Sequence, residues 1–274
     1  MVRKPVVAGM FYPAGKNELL ESVTAMLDTA GDAALDPDVF AVIAPHAGIS
    51  YSGPVAAAAY AQLKGMAVDT VVLLGPTHRV HLEKASPGLF ESCETPLGAL
   101  PVDTALGERL IAASDVFAWT PGAHLQEHSL EVQLPFLQAA LAPGFSVLPI
   151  VCGQLIGTEI AAVAEALAET YQHGGRRLLF VCSTDLSHDF PYNDAVRMDR
   201  RIADLVQSLD YDTLAALFEA HDVEACGAVP LLCLMHLARL CGKNGVRIAD
   251  MRNSGDIVGD TNSRIVGYMS AVIT

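Results

Sequence analysis

The chain has 274 residues, 51% of them hydrophobic and 18% charged, with 31 Asp and Glu against 17 Lys and Arg and a formal net charge of −14. So apolar a composition excludes a disordered chain. The acidity argues against nucleic acid as a partner, because neutralising phosphates takes clustered Lys and Arg; the pairs Arg176-Arg177 and Arg200-Arg201 are too short to reverse it.

Met1 to Ala8 lacks the apolar stretch of a signal peptide. A helix is expected near Lys16–Leu27. Phe40–Ala44 (FAVIA) reads as a strand, followed by Pro45-His46-Ala47-Gly48 and an Ala-rich helix from about Pro54 to Leu63. Thr70–Leu74 (TVVLL) is a second strand, ended by Gly75-Pro76. Helices are expected near Thr104–Ala113 and Ser129–Leu141, then a strand at Ser146–Val151 and a helix at Thr158–Tyr171. Leu178–Cys182 is the next strand, before helices near Asn193–Leu209, Tyr211–Ala220 and Val229–Cys241, and Ile265–Ile273 closes the chain as a strand. Alternation of strand-length apolar runs with helical periods predicts an α/β fold, a central mostly parallel or mixed sheet with helices on both faces. No repeat or linker interrupts it, so one domain is expected over 1–274. The apolar runs fall far short of a bilayer span. The six cysteines contain no C-x-x-C pair and are expected as free thiols. Together these predict a soluble, cytoplasmic protein with no membrane partner.

In open α/β sheets ligands bind beyond the carboxyl ends of the strands. Three expected strands run into polar residues there: the first into His46, the second into His78, and Leu178–Cys182 into Asp185 and His188. Each histidine suits either a ligand or a hydrogen-bonded structural role; convergence of all three in one crevice would favour chemistry. In EHSLEVQLPF, His128 and Glu131 stand three apart and would share one face of a helix. The alternative is a helix start, with Ser129 as cap and Glu131 in the first turn. His124 lies a turn earlier, but H-E-x-x-H is absent. Asp185 and His188 suit a general acid/base with an orienting carboxylate, or a capped loop. No G-x-S-x-G elbow, P-loop or G-x-G-x-x-G occurs. Cys226 in EACGAVP precedes a helix, where a thiol has a lowered pKa and favours the metal-binding thiolate; the alternative is an inert core cysteine.

Taken in order, AGMFYP, PHAG-x-x-YSG, LLGPTH, EHSLEVQLPF, S-x-DLSH, CG-x-x-P and GDTNSRIVGYMSA resemble the Memo family and span residues 8 to 271. The prokaryotic branch is known as AmmeMemoRadiSam system protein B, which implies a radical-SAM protein and an AMMECR-type protein as partners. The family is similar in fold to class III extradiol dioxygenases. The resemblance implies His46, His78 and Cys226 as metal ligands, with His188 moving protons and Asp185 beside it; His128 and Glu131 are expected, from their own spacing, as outer residues that fix a ligand tautomer. It implies Fe(II) or Cu as cofactor, with Zn as a further option, and a redox enzyme acting on a small-molecule substrate. A thiolate in place of the dioxygenases' glutamate softens the site, so ring cleavage does not transfer with the fold. The rival readings are a non-catalytic adaptor for a phosphopeptide-like ligand and a protein for metal sequestration or delivery.

Overall fold

A computed structural model describes residues 1–31 and 38–274. In chain order its elements are β1 (Val2–Arg3), α1 (Lys16–Thr29), β2 (Ala41–Ala44), α2 (Ile49–Tyr60), β3 (Thr70–Pro76), β4 (Ala85–Pro87), β5 (Ser92–Thr95) and β6 (Gly98–Pro101). Then come α3 (Thr104–Ala113), α4 (Pro121–Leu125), α5 (Gln133–Ala140), β7 (Ser146–Cys152), α6 (Gly157–His173), β8 (Leu178–Ser183) and β9 (His188–Phe190). The chain ends with α7 (Tyr192–Gln207), α8 (Tyr211–Glu219), α9 (Ala228–Leu240), β10 (Val246–Asn253), α10 (Ser254–Val258) and β11 (Ile265–Ile273).

The main sheet runs β10-β11-β2-β8-β3-β7-β4, with β9 paired to β11. Its centre, β2-β8-β3-β7, is parallel, and antiparallel strands flank it on both sides. Every residue of β2, β3 and β8 is buried. Successive side chains on a strand point to opposite faces, so uninterrupted burial means both faces are covered. One layer holds α1, α2 and α5; α9 packs on β3 and β8 with α6 and α8 against it. This is the mixed α/β architecture expected from the sequence. A small sheet, β1-β5-β6, lies outside it. Among the described residues, no helix is long and apolar enough to cross a membrane.

Three elements differ from the sequence reading. The helix expected from Ser129 begins at Gln133. Pro135 explains this: in a helix starting at Ser129 it would be interior, without an N–H to give and with its ring against the carbonyl of Glu131. The helix expected from Pro54 begins five residues earlier, at Ile49, and carries Pro54 inside it. Strand β10 lacks clean alternation because a bulge between Ile248 and Asp250 shifts its period.

Candidate metal centre

Parallel neighbours β2, β8 and β3 end side by side, with Ala44 paired to Ser183 and Leu74 to Cys182. The residues that follow them therefore emerge at one edge of the sheet: His46 after β2, His78 after β3, Asp185 and His188 after β8. His128 joins them from the turn between α4 and α5. Ligand nitrogens of His46, His78 and His128 all lie within 4.8 Å of one another. Their ring centroids are 4.6 Å apart for His78 and His128, 5.2 Å for His46 and His78, and 5.5 Å for His46 and His128.

Hydrogen bonds fix which nitrogen faces this centre. Ser183 Oγ donates its one proton to Ser129 O at 2.7 Å and accepts from Gln133 Nε2 at 2.8 Å. It can only accept from His46 Nδ1, 2.7 Å away, so His46 carries its proton there and leaves the Nε2 lone pair free. Gln133 is itself held by Tyr60 Oη, which donates to its Oε1, and by Pro45 O, which accepts from its Nε2. His78 Nδ1 donates to Glu127 Oε1 at 2.8 Å, which fixes that ring's orientation. Burial works against the charge of Glu127, but the hydrogen bond and charge of His78 and the amides of Ser129 and His78 outweigh it, bringing the carboxyl down to about 2. Burial, then the charge of His78, lowers His46 to about 3; burial, then His46, lowers His128 to about 4. Both are neutral imidazoles at pH 7, the form that binds metal.

Cys226 belongs to this cluster. Its Sγ is 3.2 Å from His46 Nε2 and accepts from Asp185 N at 3.2 Å, while its own N–H donates to Asp185 O. Gly227 makes the approach feasible: a Cβ there would come within 2.5 Å of Thr184 Cβ and 2.6 Å of Ser183 O. The glycine thus admits the end of β8. Contrary to the thiolate expected at a helix start, burial, then the charge of Asp185, pushes the Cys226 thiol well up. The neutral thiol has two acceptors within reach, His46 Nε2 at 3.2 Å and Asp185 O at 3.6 Å.

The remaining candidates divide. His188 Nδ1 donates to Leu186 O at 2.8 Å, which fixes the ring's orientation. Asp185 does not hold His188: its carboxylate accepts from the amides of His46 and Ala47, at 2.7 and 3.3 Å, and burial raises its pKa. Glu131 lies away from the imidazoles, accepting from Arg3, Tyr12 and the amides of Val6 and Val7, and so ties down the N-terminal segment. Neither it nor His128 stands on a helix, because Pro135 starts α5 later. His124 packs with Phe90 and Trp119, and Ser86 Oγ lies 3.1 Å from its Nε2. Sequence reasoning missed Glu127, although it immediately precedes His128; nothing local marks its bond to a residue 49 positions away.

The family model for Memo-like proteins matches residues 3–272. This chain belongs to the Memo-like family. It is 33% identical to a MEMO1 family protein of Methanococcoides burtonii, with 99% of this chain and 100% of that one covered. A MEMO1 family protein of Sulfolobus acidocaldarius is 35% identical, with 98% of each chain covered. Among solved structures, the uncharacterized protein JW3007 from Escherichia coli K12 aligns with a TM-score of 0.45 and 13% identity, over 74% of this chain and 85% of that one. In this member of the Memo-like family, the motif residues at the ends of β2 and β3 supply two of the three clustered imidazoles.

Proposed function

We propose that this protein is a metal-dependent redox enzyme acting on a small molecule, with the ion held by His46, His78 and His128 and with Cys226 beside them. One observation carries the reading: three imidazoles from three distant segments bring their ligand atoms within 4.8 Å of one another. The donor set fits a metal. Two of the rings have one nitrogen committed to Ser183 or Glu127 and the other left to the cluster, the outer bonding that orients metal-ligating histidines. Imidazole suits iron, copper and zinc, and a nearby sulfur favours copper(I), zinc or thiolate-ligated iron. Iron or copper supplies redox chemistry and Lewis acidity when bound. His188, held by Leu186 O through Nδ1, is the residue proposed to move a proton. Radical-SAM and AMMECR-type proteins are the proposed partners, on the strength of the family resemblance.

Anaerobic purification followed by metal analysis of wild type, His46→Ala and His128→Ala tests this. About one iron or copper per wild-type chain is expected, with loss in both variants and on acidification, since protons compete for the ligands. Equal metal in wild type and His46→Ala would remove His46 as a ligand. Full occupancy by zinc would end the redox reading and leave sequestration or delivery.

A further inference from the structure

Beside the imidazoles lies an open cleft of about 480 Å³, lined among others by Thr77, His78, Arg79, His81, Gln154 and Cys226. That volume suits a small molecule. In a chain of net charge −14, the lining includes Arg79 and two histidines and no Asp or Glu. Arg79 is exposed and, among the described residues, makes no ion pair or side-chain hydrogen bond. Its acidic neighbour Glu83 lies 3.5 Å from His81 instead. Glu127 is committed to His78 and to the amides of His78, His128 and Ser129. The turn carrying Arg79 is braced: Thr77 Oγ1 donates to Val80 O at 2.7 Å and accepts from Val80 N at 3.4 Å. Val229 and Pro230, in the first turn of α9, add the positive end of a 13-residue helix to the same lining.

We propose that this cleft takes a small molecule bearing a carboxylate, with the carboxylate seated on Arg79 and the rest of the molecule directed toward His78 and Cys226. A guanidinium presents a planar fork that pairs with a carboxylate through two parallel hydrogen bonds. Phosphate-bearing ligands are met by clusters of Arg, and this lining holds one. Arg79, His78 and Cys226 line the same cleft, so a ligand held by Arg79 shares it with one imidazole of the cluster and the thiol. The proposal rests on the metal-centre reading for where the reacting part lies, and not for the carboxylate contact.

Titration calorimetry with benzoate, benzamide and phenyl phosphate, on wild type and Arg79→Met of measured metal content, tests it. Benzoate is expected to bind wild type and to bind Arg79→Met at least tenfold more weakly, with unchanged metal content and melting temperature. Benzamide is expected to bind more weakly than benzoate and to ignore the substitution. Benzoate binding that is absent from wild type, or equal in both proteins, overturns the proposal; a carboxylate held by the ion alone gives the latter result. Phenyl phosphate binding tighter than benzoate, and losing more on substitution, overturns it in favour of a phosphate-bearing ligand. Arg79-dependent benzoate binding by protein with no metal would uphold the carboxylate site while the metal-centre reading fails.

Discussion

Glu127 shows how much of the site depends on one side chain outside the imidazole cluster. It is 3% exposed and ionised, and the ring and amide of His78 and the amides of His128 and Ser129 all donate to it. Glu127→Gln keeps the shape but sets an amide NH2 against these donors. The expected cost is about 1–3 kcal/mol in urea unfolding and roughly 10–100-fold in metal affinity, read by titrating metal-free protein. Unchanged affinity would mean that His78 is oriented by other means. At this scale the sequence was a partial guide. His46 and His78 were legible because each follows an apolar strand across a Pro or Gly-Pro break. Glu131 stood out in the sequence because helical spacing pairs it with His128, but Pro135 keeps a helix from starting at Ser129. Asp185 was read as a partner of His188, yet its bonds go to the amides after β2, which only the pairing of β2 with β8 brings within reach.

Among the elements, the contact between α7 and β11 governs the segment carrying His188. Asp199 on α7 is buried, and its carboxylate accepts from Ser187 N at 3.0 Å and Ser187 Oγ at 3.1 Å. Gly267 on β11 donates its N–H to Ser187 O at 2.9 Å and accepts from Leu186 N at 2.8 Å. A methyl group on Gly267 would run into the Asp199 carboxylate. Gly267→Ala is therefore expected to destabilise by about 1–3 kcal/mol, the usual cost of overpacking, measured as a lower urea midpoint. A midpoint matching wild type would show that α7 can shift away freely. The five strands legible in the sequence, β2, β3, β7, β8 and β11, are rich in apolar and β-branched residues; β1, β4, β5, β6 and β9 were missed because they are short and lack such a run, and β10 because its bulge breaks the alternation.

For the molecule as a whole, pH acts also through buried groups outside the imidazole cluster. Burial lowers His124 from 6.5 to about 4, against the contrary influence of Ser86. Its folded value lies below its unfolded one, so the unfolded chain binds the proton first. Stability present above pH 6.5 is lost as pH falls toward 4, by on the order of 3 kcal/mol. Asp199, raised by burial from 3.8 to about 6, acts in the opposite sense, gaining stability as pH falls from about 6 to 3.8. His124→Phe keeps ring contact with Phe90 and Trp119 and cannot titrate. It is expected to be less stable than wild type at pH 7.5, having lost its Ser86 partner, and the gap should narrow steadily between pH 6.5 and 4. Parallel unfolding curves across that range would show that His124 does not titrate there.

The sequence by itself determined the α/β class, five strands of the main sheet, the family, and the histidines that follow β2, β3 and β8. Periodicity and strand-end chemistry are local, and local patterns suffice for these. Only the tertiary structure decided that His128 joins His46 and His78, that Glu127 and Ser183 set their tautomers, and that the Cys226 thiol is neutral. Those facts depend on distances across the parallel strand ends and on burial, which arise only once the sheet has assembled.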